Sequence, residues 1–351
     1  MNRNYYLDLA RRGLRMPIGA DLALHEQSDA ESILLDPVRL GRVVEHAARS
    51  SRTPLAFPLM DLRLEKTDLL GFLGVPEAEM DRFHFTAPPE PATVEALVRS
   101  ADRPFSPPIV ANQGAVSYIA RQTDLMPVGM LIGPFSLMTK LVSDPIAPLA
   151  MAAAGSTAAE DPAIATLERG LEMARATVLR SARAQIAAGA KALIVCEPAA
   201  NMVFFSPRQL KRDGEIFERF VLTPNRELRD LLAAHDVDLI FHNCGELTTD
   251  MVRMFSDELR PHVMSLGSSR KLWEDAAVVA DDIVLYGNLP TKTFYSDEAM
   301  PEEEVRRLSR ELVHNMGACG HAHILGSECD VLHVPEAAET IRRKVAVMLE
   351  A

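Results

Sequence analysis

Short apolar runs recur along the 351-residue chain, most of them separated by longer stretches with helical periodicity, and this alternation narrows the fold more than any other feature. The runs are PLAFPLMD (54–61), SPPIVAN (106–112), PVGMLIG (127–133) and ALIVCEP (192–198), then DLIFHNC (238–244), HVMSLG (262–267), IVLYGNL (283–289) and HILGSEC (323–329). They are nearly continuously apolar, the pattern of parallel strands covered on both faces. Between them lie helix signals. ATLERGLEMARATVLRSARAQIAAGA is one, and SPRQLKRDGEIFERFV is another, with Ser206 as N-cap and Pro207 at the first helical position; TPNRELRDLLAAHD repeats that start. PEAAETIRRKVAVMLE starts at Pro335 and sets Ala338, Ile341, Val345 and Met348 on one face. Eight runs with intervening helices predict an α/β chain folded as a (β/α)8 TIM-type barrel. The expectation is one domain over residues 1–351, with roughly the first 50 residues forming an N-terminal helical extension. A doubly wound sheet fits less well, because no GxGxxG turn follows any run. FTAPPEPATVEALVRSADRPFSPP reads as a proline-rich excursion leading to a short helix.

Charge narrows the function. The formal net charge is -12, and Lys and Arg are scattered, whereas nucleic-acid binding needs them clustered. No nucleic-acid role is expected. The N-terminus lacks the apolar stretch and cleavage site of a secretory signal, and the apolar segment 125–142 is interrupted by two prolines, two glycines and Lys140. The expectation is a cytoplasmic protein with no membrane span, whose four cysteines are free, buried or metal-bound.

Chemistry concentrates in FHNCGE. In a strand, residues two apart share a face, so His242 and Cys244 point together, at the strand end where barrel enzymes hold their reacting groups. Imidazole and thiolate suit zinc, and a catalytic zinc takes about three protein ligands and leaves one position open. Cys329, at the end of the last run, is the favoured third ligand. Cys319 competes, but it lies in a helix-to-strand turn, at the opposite face of a barrel. Glu197, also at a strand end, reads as a further oxygen ligand or close neighbour if alternation turns it inward and Cys196 outward; a helix cap is the plainer reading of the same residue. A zinc held by one imidazole and two thiolates is formally neutral, and a carboxylate would make the site anionic, which suits methyl or thiol chemistry.

Several segments carry a resemblance: MLIGPFSLMTKLV, CEPAANMVFFSP, FHNCGE, VLYGNLP and ILGSECDVLHVPEAAETI. Over roughly residues 50–351 the chain resembles the uroporphyrinogen decarboxylase superfamily, and more closely its zinc-dependent corrinoid-protein methyltransferases. The resemblance implies Zn2+ on His242, Cys244 and Cys329, with Glu197 as a fourth ligand or catalytic neighbour. It also implies a barrel mouth that docks a separate corrinoid-binding protein carrying the cobalamin.

On this reading a methyl group passes between a small methylated substrate and the corrinoid cobalt. The favoured substrate is an aryl methyl ether, with the chain as the substrate-side component of an O-demethylase. A methyl-corrinoid to thiol transferase of the coenzyme M type uses the same ligands. The decarboxylase itself needs cations for porphyrinogen carboxylates, and its N-terminal arginine-bearing segment is replaced here by IGADLALHE. A non-catalytic barrel with structural zinc would call for four closed ligands, often in Cys-x-x-Cys pairs, which are absent. Asp61 is a candidate catalytic acid. Met60, Phe135, Asn201, Phe205, Glu246 and Asn288 are candidates for lining the substrate pocket, each of them equally readable as packing or capping. A homodimer is left open.

Overall fold

The computed structural model describes residues 3–212 and 214–350. Eight strands form one parallel sheet: β1 (Arg15–Ile18), β2 (Leu55–Ala56), β3 (Met126–Ile132), β4 (Ala192–Cys196), β5 (Asp238–Asn243), β6 (Val263–Leu266), β7 (Val284–Leu289) and β8 (His323–Asp330). They are ordered β1-β8-β7-β6-β5-β4-β3-β2, with helices between them. This is the (β/α)8 barrel of the sequence reading. Among the described residues no ladder joins β1 to β2; they meet through side chains, with Thr53 Oγ1 3.2 Å from Met16 Sδ.

Strand alternation divides the core into two layers. Met16, Leu55, Val128, Met130, Ala192, Ile194, Cys196, Ile240, Val263, Val284, Tyr286 and Ile324 fill the barrel interior. Leu193, Val195, Leu239, Phe241, Met264, Leu266, Leu285 and Leu325 pack outward against the helices. Both faces of each central strand are therefore dry, which explains why the runs lack a polar alternate position.

Two strand assignments change. Residues 106–112 do not form a strand; a helix, Pro107–Gln122, begins there and buries Ile109, Asn112, Ala115, Val116 and Ile119 at three- and four-residue spacing. Pro107 and Pro108 open the helix, where a missing N–H costs nothing. The eighth strand is instead Arg15–Ile18, within the first 50 residues, which otherwise form helices such as Arg3–Arg11 and Pro37–Ser50. It holds Pro17 and pairs only with β8, an edge position that tolerates proline.

Helix starts follow the capping signals in part. Ser206 Oγ accepts the Gln209 N–H at 3.2 Å and caps the helix Pro207–Arg212; residue 213, within the same predicted helix, lies outside the described residues. Thr223 is not a start. Leu222 before it is already helical, so Thr223–Ala234 continues a π turn, and the Thr223 hydroxyl bonds Glu218 Oε1 at 2.9 Å. At the C-terminus Pro335–Ala337 forms a 3-10 turn, and the helix proper is Ala338–Glu350 with Ile341, Val345 and Met348 buried. Among the described residues no helix is long and apolar enough to cross a membrane.

Candidate metal centre

His242 lies one residue before the end of β5, and Cys244 just beyond it. The ring of His242 is fully buried, and its register partner on β6 is Ser265. Paired residues of neighbouring strands share a face, so the Ser265 hydroxyl reaches His242 Nδ1 at 2.8 Å. With Nδ1–H donating to that hydroxyl, Nε2 keeps its lone pair. Nε2 is buried without a hydrogen-bond partner.

Cys329 arrives from the opposite side through an irregularity in β8. Met16 pairs Gly326 and Ile18 pairs Asp330, so β1 advances two residues while β8 advances four. Bulges of this kind re-aim side chains at barrel rims. Here Glu328 turns to Ser268, which donates to its Oε2 from the hydroxyl at 2.6 Å, and Cys329 meets the His242 ring. The ligand atoms of His242, Cys244 and Cys329 lie within 4.8 Å of one another. Among the described residues no other group of His, Cys, Asp or Glu is so placed.

The two thiols differ in acidity. The neighbouring Cys329 thiol and the Lys292 ammonium bring Cys244 down to about 7 against the opposing effect of burial. The Cys244 thiol and burial push Cys329 up to about 12. Two sulfurs, one of them readily ionised, stand beside an imidazole nitrogen, a donor set that could hold zinc. Cys196, in register with His242 on β4, faces the barrel interior beside them, and burial raises its thiol far above the usual range. Cys319 is exposed at the end of the helix Glu302–Cys319, away from the group.

Glu197 does not join the ligands. With Ala192, Ile194 and Cys196 inward, alternation sends it outward, the reverse of the sequence expectation. An all-apolar strand has no polar residue to set the phase, and a shift of one residue exchanges the faces. Its carboxylate caps the helix Pro134–Thr139: Oε1 accepts the Ser136 N–H at 2.5 Å, and Oε2 accepts the Phe135 N–H at 3.3 Å and the Asn225 amide at 2.9 Å. Gly133 is required, because a Cβ there would stand 2.1 Å from Glu197 Oε2. The GPFS and EP segments are therefore two halves of one structural clasp.

The other candidates have the following surroundings. Asp61 is held by Arg63 at 2.8 and 2.9 Å and lies outside the His-Cys-Cys group. Phe135 and Phe205 are buried outside the barrel, 5.0 Å apart between ring centroids. Asn201 spends its amide on Pro198 O and Val203 N, Asn288 spends its own on Gly267 O and Arg270 O, and Glu246 is exposed. Met60 reaches the cluster, its Sδ accepting the Cys329 S–H at 3.7 Å. Ser265 and Lys292 escaped the sequence reading, since strand register and loop placement leave no mark on a single chain.

The family model for uroporphyrinogen decarboxylase (URO-D) matches residues 80–349. No curated protein matches the chain. Among solved structures, a methyltransferase from Methanosarcina mazei aligns over 100% of this chain and 99% of its own, at 15% identity and a TM-score of 0.66, a likeness of fold. A candidate vitamin-B12 independent methionine synthase from Listeria monocytogenes covers 82% of this chain and 86% of its own at 13% identity, with a TM-score of 0.39. A 3-keto-D-glucoside 4-epimerase from E. coli covers 82% and 95% at 14% identity, with a TM-score of 0.38.

Proposed function

Because the chain belongs to the uroporphyrinogen decarboxylase family, we propose that it is a zinc-dependent methyltransferase whose metal is held by His242, Cys244 and Cys329. On this reading it moves a methyl group between a small methylated substrate, an aryl methyl ether, and the cobalt of a separate corrinoid protein. The observation that carries the reading is the buried, unpartnered Nε2 of His242 facing two thiols at the C-terminal mouth of the barrel. A buried nitrogen lone pair left unmet is costly, and a metal ion meets it together with both sulfurs.

Bound there, zinc would supply a Lewis acid that draws charge from the departing oxygen of the ether while the corrinoid takes the methyl group. The chain contributes the rest. Ser265 sets the histidine tautomer, the β8 bulge delivers Cys329, and Lys292 favours the ionised form of Cys244. Three imidazole and thiolate ligands, with the fourth position left for exchange, favour catalysis over a structural ion. Porphyrinogen decarboxylation is disfavoured because residues 18–26, from the end of β1 onward, contain no arginine. Transfer from methyl-corrinoid to a thiol is the second reading, favoured by the sulfur-rich surroundings of the site.

The test has two stages. Purified protein is assayed for zinc, with one equivalent expected. It is then offered Co(I) cobalamin with methoxylated aromatics, and methylcobalamin with thiols. Methylcobalamin formed from the ethers supports the favoured reading, and thioether formed from the thiols supports the second. Porphyrinogen turnover without methyl transfer rejects both.

A further inference from the structure

We infer that the thioether of Met60 is the fourth, exchangeable ligand of the metal held by His242, Cys244 and Cys329. The inference rests on the metal site proposed above and adds a residue to it. Three protein ligands leave one tetrahedral vertex, and the carboxylates that might take it are turned away: Glu197 is bound outside the barrel and Asp61 is tied to Arg63.

Met60 is built into this position. It follows β2 at the barrel mouth, and its Sδ stands 3.7 Å from Cys329 Sγ. Two ligands of a tetrahedral ion with metal–sulfur bonds of about 2.3 Å are separated by about 3.8 Å, so the two sulfurs are already at ligand spacing. Backbone contacts hold them there. Asp330, the residue after Cys329, is buried with its carboxyl beside the Met60 backbone. Asp330 can occupy that place only because residue 19 is glycine, where a Cβ would lie 1.9 Å from its Oδ1. Gly19, Asp330 and Met60 thus form a chain of contacts that sets a sulfur beside Cys329.

The chemistry suits an occupant that must leave. A thioether is neutral and soft, so it closes the site without adding charge to one balanced by two thiolates. It is also a weak donor, which a thiolate or a charged oxygen displaces. Met60 would keep water off the ion until such a group arrives.

X-ray absorption at the zinc edge tests this on the zinc-loaded full-length protein and on Met60→Leu, which keeps the apolar bulk. The wild type is expected to show three sulfurs and one nitrogen, and Met60→Leu two sulfurs with two lighter atoms at the same zinc content. With 2-mercaptoethanol as probe, the wild type should stay at three sulfurs by exchange, and Met60→Leu should rise from two to three. Two sulfurs on fully loaded wild type, or three retained in Met60→Leu without the probe, overturns this inference and leaves the metal site standing. A wild-type protein that binds no zinc overturns the functional reading and this one with it.

Discussion

Replacing Glu65 with glutamine will stabilise the protein above pH 7 and leave it unchanged near pH 4. Glu65 is 2% exposed in the helix Leu64–Phe72. One oxygen accepts the Ser181 hydroxyl at 2.8 Å, and the other is buried without a partner. Burial raises its carboxyl from 4.5 to about 7, against the pull of the Ser181 bond. The acid therefore stays protonated when folded while it ionises in the unfolded chain, and the folded state binds more protons between these two values. Stability from this group is complete below about 4.5 and is lost as pH rises to about 7. The interval of about 2.5 pH units, at ~1.4 kcal/mol each, corresponds to about 3 kcal/mol. Glutamine keeps an acceptor for Ser181 and carries no charge. Urea unfolding of metal-free wild type and Glu65→Gln at pH 4.5 and pH 8 measures the difference directly. A gap that opens toward pH 8 in favour of the variant is expected. A pH-independent gap, or a variant less stable at pH 8, would refute the reasoning.

Further outcomes follow for the site and its neighbours. Ser265→Ala removes the bond that orients His242 and should weaken zinc binding by roughly 10- to 100-fold in a chelator competition, with secondary structure unchanged. Glu197→Gln should retain a full equivalent of zinc, since the carboxylate caps a helix; Glu197→Ala, which strands the Ser136 and Phe135 N–H groups, should lose about 2–3 kcal/mol of stability by denaturant titration. Zinc lost from a folded Glu197→Gln would return that residue to the ligand set. Cys329→Ala should abolish stoichiometric zinc, whereas Cys319→Ser, exposed at the far end of a helix, should bind it as wild type does.

The barrel was legible in the residues because its signals are local. Continuous apolar runs mark strands covered on both sides, and a 3.6-residue periodicity marks the helices over them. His242 and Cys244 could be paired for the same reason, since residues two apart in a strand share a face. Local pattern misled where it was short. IVAN, read alone, passes for a strand, although it lies within the first two turns of a 16-residue helix, and RMPI is too brief and too broken by proline to be recognised as one. The tertiary structure decided everything that depends on how strands meet. The phase of β4 turned Glu197 outward, the register of β5 against β6 gave His242 its serine, and the bulge of β8 against β1 carried Cys329 inward. A chain specifies its own periodicity within a few residues, but register, phase and bulges are settled by backbone hydrogen bonds and packing between segments tens to hundreds of positions apart, and those choices assemble the metal centre.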